Sequence, residues 1–149
     1  MFAHILFPTD GSPLSDAAML TCMEFAKSVR ARVTALHVMP EFHMLTVNTE
    51  MIEDTREQYL IDTEQRGRQV LLAVEQAARE AGVDCQTVLR RADNPYTEIL
   101  EVARDQGCDL IAMASHGYRG IKAMVLGSET HKVLVHSMIP VLVLRPFAE

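Results

Sequence analysis

The chain of 149 residues lacks the features that mark nucleic-acid-binding and membrane-spanning proteins. It has no run rich in lysine and arginine. Its net charge of −6 is the wrong sign for a protein that is held on nucleic acid by neutralising phosphates. No apolar run approaches the roughly 18 residues of a membrane span. We therefore expect no nucleic-acid partner and no membrane partner.

Cysteine is also scarce, with only Cys22, Cys85 and Cys108. The number is odd, the spacing is wide and no CxxC pair occurs, which favours buried thiols in a reducing compartment over a disulfide framework. The sequence begins at once with a strand pattern, so no signal peptide is expected. Together these features predict a cytoplasmic location.

The commonest phosphate-handling motifs are missing. The chain has no Gly-Lys-(Ser/Thr) triplet of a Walker A loop, and a single glycine follows the first strand where a Rossmann loop needs several. A haloacid-dehalogenase phosphatase would need an aspartate two places before Asp10, where Pro8 stands. A response-regulator receiver would need a phosphoacceptor aspartate after the third strand, which here ends in Arg90-Arg91.

What the chain does have is a strict alternation of apolar strand-like runs and helical periods, within 48% hydrophobic residues. This pattern predicts one α/β domain over residues 1–149, with a doubly wound, five-stranded parallel sheet and helices on both faces. The predicted strands are 4–9, 32–38, 85–90, 110–113 and 141–144. Helices are predicted to begin at Ser12-Pro13, near 51, at Asn94-Pro95 and at Ser128, and residues 41–50 to form a loop excursion.

The second predicted helix, 51–81, is very polar from 62 to 69, and we expect that part to project into solvent. Gly67 lies inside it, at a cost of about 1 kcal/mol relative to alanine. The charges between 50 and 68 are most simply a solvated helix face. His37, His131 and His136 have no metal-ligand spacing and are expected to be ordinary surface or core histidines.

The predicted strand order is 3-2-1-4-5, which makes the first and fourth strands neighbours at the switch point of the sheet. The loops that follow those two strands would then meet at one crevice, where folds of this kind bind ligands. After the fourth strand comes the small-residue turn Ala114-Ser115-His116-Gly117, and Gly127-Ser128 lies at the mouth of the last helix. Small residues at such places leave backbone N–H groups open to an anion.

This spacing resembles the motif of the ATP-binding branch of the universal stress protein family, Gly-x2-Gly-x9-Gly-(Ser/Thr). The similarity extends along the chain to FPTDGS after the first strand, LHVMP after the second and IPVLVLRP at the end. One departure is Ala114, which stands where the motif has its first glycine. If that position needs a positive φ, alanine would cost roughly 1–2 kcal/mol.

The resemblance implies that ATP or another adenine nucleotide binds, with Mg or Mn carried mainly by the phosphates. The resemblance also implies that Asp10 accepts a hydrogen bond at the adenine end of the pocket and that the backbone of Val38 contacts the adenine edge. Other implied contacts are Pro8 and Thr9 lining the pocket, Met113, Ala114 and Gly117 along the ribose, and Gly127, Ser128, Glu129 and Thr130 at the phosphates.

Simpler interpretations stay open for three of these features. Asp10 and Ser128 could each be helix caps, and His116 could be a catalytic base or an ordinary loop histidine. The function could be a nucleotide-binding regulatory module in the stress response, acting through an unknown protein partner. The alternatives are a slow ATPase or phosphotransferase and a dimeric interaction protein with an unoccupied pocket. The chain offers a phosphate cradle without a convincing general base, which favours the regulatory module.

A homodimer is also predicted, through the strand at 141–145. In the order 3-2-1-4-5 its apolar, uncharged part, 141–144, lies at the edge of the sheet, where open backbone groups invite pairing. Antiparallel pairing with a second copy would satisfy them with two-fold symmetry, and the family resemblance implies the same arrangement. The alternative is a monomer whose edge is shielded by the 41–50 segment.

Overall fold

The computed structural model describes residues 1–43, 49–115 and 126–145, which form five strands and four helices. The strands are β1 His4–Pro8, β2 Arg32–Met39, β3 Cys85–Arg91, β4 Leu110–Ala114 and β5 Val141–Leu144. The helices are α1 Pro13–Val29, α2 Thr49–Ala81, α3 Pro95–Asp105 and α4 Ser128–His136. None of the helices in these ranges is long and apolar enough to cross a membrane.

All strand pairs are parallel, and their order is β3-β2-β1-β4-β5, so the predicted fold class and strand order are confirmed. Ile5 of β1 lies opposite Leu110 of β4, which makes the two strands neighbours although about a hundred residues separate them. β2, β3 and β4 each run one residue further than predicted, and β1 ends one residue earlier. α2 begins at Thr49, inside the predicted 41–50 loop, of which 44–48 lies outside the described residues.

Local signals fix the ends of the helices as expected. Ser12 caps α1, since its hydroxyl oxygen accepts a hydrogen bond from the Ser15 N–H at 3.3 Å, and Pro13 occupies the first helical position. Gly82 follows α2 with φ +72°, the left-handed stop that its position predicts.

The core forms two layers, one on each face of the sheet. α1 and α2 pack on one face around Phe7, Met23 and Val74, and α3 and α4 pack on the other around Leu6 and Val102. The alternation of side chains along each strand produces this division. Two of the cysteines belong to the core as expected. Cys22 and Cys108 are buried free thiols, and burial raises the pKa of Cys22 to about 12.

α2 lies unusually close to the sheet and to the turn after β1. Gly67 is buried, and a Cβ atom there would lie 2.8 Å from Leu89 Cδ1 and 3.0 Å from His37 Cδ2. Gly11 has φ +77°, and a Cβ atom there would lie 2.6 Å from Val70 Cγ2. The polar stretch 62–69 is therefore only partly solvated, which corrects the expectation that all of it projects outward. Gly67 lowers the helix propensity of this stretch, but because it has no side chain it permits α2 to lie close to the sheet.

We predict that Gly11→Ala destabilises the protein more than Gly82→Ala does. Both glycines have a positive φ, so alanine at either position should lower the free energy of unfolding by about 1–2 kcal/mol. At Gly82 nothing lies within 4 Å of the added Cβ, whereas at Gly11 it meets Val70, which should add roughly 1 kcal/mol or more. Urea denaturation measures both values, and equal losses would show that the contact with Val70 is loose.

Candidate functional site

A cavity of about 700 Å³ opens at the carboxyl ends of the strands, on both sides of the switch point between β1 and β4. It brings together ten of the eleven residues predicted for the site. These are Pro8, Thr9, Asp10, Val38, Met113, Ala114, Gly127, Ser128, Glu129 and Thr130. The eleventh, Gly117, lies outside the described residues, as does His116.

Asp10 stands in the turn between β1 and α1, and part of its carboxylate is used inside the protein. Its Oδ1 atom accepts hydrogen bonds from the Ser12 N–H and from the Ser15 hydroxyl, each at 2.9 Å. The cap of α1 is Ser12, so the interpretation of Asp10 as the helix cap is wrong, although its carboxylate supports the capping residue. Because Asp10 also lines the cavity, that supporting contact fixes where the carboxylate stands relative to a ligand.

Val38 presents backbone groups to the cavity because β1 ends before β2 does. The Leu36 carbonyl accepts a hydrogen bond from the Thr9 N–H at 2.9 Å, which is the last bond between these two strands. The Met39 carbonyl accepts from Ala92 on the other side, at the end of β3. Since successive residues of a strand point their backbone groups to alternate sides, the N–H and C=O of Val38 point past the end of β1. A donor and an acceptor thus stand side by side there.

Ala114 ends β4 in extended backbone, and Arg30 is the only non-glycine residue with a positive φ in the described part of the chain. The penalty considered for alanine at the first glycine position of the motif therefore does not arise. The next residue, Ser115, accepts a hydrogen bond from the Gly127 N–H at 2.7 Å through its carbonyl oxygen. This bond sets the start of α4 directly beside the end of β4.

The N-terminus of α4 faces the cavity with unpaired helix donors. Gly127 is the N-cap, with φ −60° and ψ 151°, and no side chain caps the helix. Ser128 is thus the first helical residue, which corrects its interpretation as an N-cap. The first intrahelical bond runs from the His131 N–H to the Gly127 carbonyl. The N–H groups of residues 128–130 therefore have no acceptor within the helix and suit an anion.

Two side chains assigned to the phosphates are occupied in holding α4 in place. The Thr130 hydroxyl is buried and donates to the Ala114 carbonyl at 2.9 Å. The Glu129 carboxylate accepts from the Tyr96 N–H at 2.9 Å, in the first turn of α3, and lies 3.3 Å from Lys132 Nζ. An anion at this helix end would accordingly meet the backbone N–H groups of these residues rather than their side chains.

The sequence interpretation missed the wall of the cavity that α2 provides. Tyr59, Thr63 and Arg66 line it, although this stretch was expected to be a solvated helix face. Arg66 is the single lysine or arginine among the described residues that line the cavity. The signal was the spacing of these three residues, because intervals of four and three place them on one face of a helix.

His37 also lines the cavity, as a buried histidine at the end of β2. Its Nδ1 atom lies 2.9 Å from the Thr9 carbonyl oxygen, which can only accept, so Nδ1 carries the proton and donates. Burial lowers the pKa of His37 below its usual value, against the opposing effect of this hydrogen bond. The expectation of an ordinary core histidine is correct in that His37 makes a structural hydrogen bond within the protein.

Comparison with known proteins gives a consistent result. The model of the universal stress protein family matches residues 1–145. Universal stress protein YxiE of Bacillus subtilis is 33% identical over 149 residues, which cover 97% of this chain and all of that protein.

Two solved structures extend the comparison. The structure of protein MJ0577 of Methanocaldococcus jannaschii aligns over 100% of this chain and 99% of its own, with a TM-score of 0.84 and 26% identity. A universal stress protein solved in complex with cAMP aligns over 97% of both chains, with a TM-score of 0.70 and 19% identity.

We predict that the protein loses stability as the pH falls from 7.5 to 5.5. Burial lowers the pKa values of both His4 and His37 in the folded state, whereas in the unfolded chain they titrate near 6.5. Below pH 6.5 these two histidines therefore bind protons in the unfolded chain but not in the folded chain, and the free energy of unfolding falls. Urea denaturation across this range measures the slope.

His37→Asn is the informative variant, because its amide nitrogen stands where Nδ1 does and can still donate to the Thr9 carbonyl, but it cannot titrate. Its pH slope should be shallower than that of the wild type. The remainder is due to His4 and is opposed by His43, whose pKa is raised by its hydrogen bond with Asp93. An identical slope in the two proteins would mean that His37 is already accessible to protons in the folded state.

Proposed function

Since the chain belongs to the universal stress protein family, we propose that it binds ATP or a related adenine nucleotide in the cavity described above. The observation that carries the proposal is the meeting of Val38, Asp10 and the N-terminus of α4 around one space of about 700 Å³. That volume falls within the usual range of small-molecule sites, roughly 300–1,000 Å³. The complex of one neighbour with cAMP supports adenine as the base.

In this proposal the base lies against β2 and the phosphates against α4. The adjacent N–H and C=O of Val38 match the ring nitrogen and the amino group of adenine. The Asp10 carboxylate, already fixed by Ser12 and Ser15, accepts from the base or the ribose. The N–H groups of residues 128–130 bind phosphate oxygens, and the positive end of the helix dipole adds about 0.3–1 kcal/mol per charge.

A divalent ion, Mg or Mn, would be held by the phosphates themselves. Among the described residues, no group of three or more histidine, cysteine or acidic side chains could hold a metal ion. The acidic side chains that line the cavity do not form a metal cage, and Glu129 is bonded to the first turn of α3.

The described part of the cavity favours a nucleotide-responsive regulatory module over an enzyme. Its histidine, His37, is a structural donor to Thr9, and Glu129 is bonded elsewhere, so neither is disposed to activate a water. We propose that the protein acts in the cytoplasm, in the stress response, through a protein partner. A slow ATPase or phosphotransferase is the alternative, and it would turn over ATP in the presence of magnesium.

Replacement of Asp10 by asparagine tests the placement of the base. Asparagine can keep the oxygen that accepts from Ser12 and Ser15, but its amide would meet the donors of the ligand with another donor. ATP should therefore bind about 1–3 kcal/mol more weakly, the scale for a hydrogen bond to a charged group. Inorganic triphosphate, which has neither base nor ribose, should be affected much less in the same calorimetric titration.

Ser15→Ala is the companion variant, because it removes one of the two hydrogen bonds that fix the Asp10 carboxylate but keeps the carboxylate itself. An equal loss for ATP and for triphosphate in Asp10→Asn would argue that Asp10 acts only on the turn. Absence of nucleotide from the purified, denatured protein, together with no measurable ATP binding, would favour an interaction protein with an unoccupied pocket.

We also propose that two copies pair through the outer edge of β5. The Pro140 carbonyl accepts a hydrogen bond from Ile111 of β4, and the Leu144 carbonyl accepts one from Ser115, just after β4. The backbone groups of Val141 and Val143 therefore point away from β4, to the open edge. No described strand pairs with that edge. Three apolar side chains on α4 and in the loop after it are also exposed, namely Leu134, Val135 and Met138. Antiparallel pairing of β5 with a second copy would bury the edge and give two-fold symmetry.

Val143→Lys should convert this dimer to monomers, because a charged side chain on an edge strand opposes pairing. The residue belongs to neither core cluster, so the fold should survive. Leu72→Lys, on the exposed side of α2, is the matched control and should leave the dimer intact. Light scattering at micromolar concentration measures the mass, and a monomeric wild-type protein would contradict the proposal.

A further inference from the structure

α2 is much longer than the strands that it covers. Its 33 residues span about 50 Å at 1.5 Å per residue, whereas the eight residues of β2 span roughly 26 Å. Gly67 lies so near Leu89 and His37, close to the carboxyl ends of β3 and β2, that a Cβ atom on it would collide with their side chains. The part of α2 before Gly67 therefore overhangs that end of the sheet. We call residues 55–66 the overhang, and its inner face is the cavity wall of Tyr59, Thr63 and Arg66.

Arg91, the last residue of β3, ties the overhang to the sheet. Its Nη1 atom donates to the Thr63 hydroxyl oxygen at 2.9 Å and to the Pro40 carbonyl at 2.8 Å. Its Nη2 atom donates to the Leu60 carbonyl at 3.2 Å and lies 3.5 Å from the sulfur of Met39. One guanidinium thus joins the end of β3, the segment after β2 and the overhang.

The contacts of Tyr59 with the segment after β2 are weaker. The Tyr59 hydroxyl donates to the Glu41 carbonyl at 3.4 Å, and the Tyr59 ring lies 5.3 Å from that of Phe42. Hydrogen bonds from a charged guanidinium are roughly twice as strong as neutral ones, and those of Arg91 are shorter. Arg91 is therefore a strong polar attachment between the overhang and the strand ends.

We propose that Arg91 is a positioning residue of the nucleotide site, which holds the wall formed by Tyr59, Thr63 and Arg66 against the bound nucleotide. This inference rests on the function proposed above. Arg91 does not itself line the cavity. It acts by fixing the distance between α2 and the backbone of Val38. When the attachment is lost, the wall moves outward and the nucleotide leaves faster.

The test compares Arg91→Met and Arg91→Lys with Arg90→Met. Methionine keeps much of the length of the side chain but has no donors, and lysine keeps the charge without the planar fork. Arg90 precedes Arg91 on β3, so its side chain points to the other face of the sheet, and it does not line the cavity. Two kinds of measurement are made on each protein. One is the backbone hydrogen exchange of residues 55–66, and the other is ATP binding, which gives the dissociation rate and the Kd.

For Arg91→Met we expect faster exchange in residues 55–66, unchanged exchange in β1 and β4, and an ATP Kd raised about tenfold through faster dissociation. Tenfold corresponds to about 1.4 kcal/mol. Arg91→Lys should fall between this variant and the wild type. Arg90→Met should match the wild type in both measurements. If Arg91 only stabilised the fold as a whole, the faster exchange would not be confined to the overhang. The loss of affinity would then also not come specifically from faster dissociation.

Three results would overturn the inference alone, provided that the wild type binds ATP. They are wild-type affinity in Arg91→Met despite faster exchange, lost affinity with no change in the exchange of residues 55–66, and an equal loss in Arg90→Met. If Arg91→Met does not fold, the same comparison is made with Arg91→Lys. A wild-type protein that binds neither ATP nor cAMP would overturn the proposed function, and this inference with it.

Discussion

The parallel pairing of β1 with β4 is the constraint on which the rest of the structure depends. Because β4 lies on one side of β1 and β2 lies on the other, the chain leaves the two neighbouring strands β1 and β4 in opposite directions. α1 then covers one face of the sheet and α4 the other. The crevice between the ends of these strands is a consequence of that divergence, and it needs no specialised side chain.

The side chains around the crevice mainly fix the backbone. Asp10 holds the turn into α1, Thr130 holds α4 against β4, and Glu129 holds the first turn of α3. Backbone donors and acceptors face the cavity at Val38 and at the N-terminus of α4. A site built from backbone groups is rigid, because each group is held by the strand or the helix to which it belongs.

α2 contributes differently, through a close approach and a length that the sheet does not require. Gly11 and Gly67 allow the helix to lie near the turn after β1 and near the ends of β2 and β3. Arg91 then fastens the part that overhangs. The cavity consequently has a rigid floor of strand ends and an outer wall whose position depends on a few polar contacts.

The sequence by itself determined the strands and the cap at Ser12, which follow from apolar periodicity and a capping residue. The strand order follows from the usual order of a doubly wound five-stranded sheet. The family resemblance supplied the ten described site residues that meet at the cavity. What periodicity could not give was the use of each side chain, because the partners of Glu129 and Thr130 come from distant segments.

Only the tertiary structure decided that Ala114 is unstrained, that Gly127 rather than Ser128 is the N-cap, and that a polar stretch of α2 forms a cavity wall. A helical period tells which residues share a face but not which face a neighbouring loop covers. The contact between Arg91 and Thr63 joins residues 28 positions apart, and it exists only because the sheet brings the end of β3 beside α2. Long-range packing fixed these features, and no local pattern encodes it.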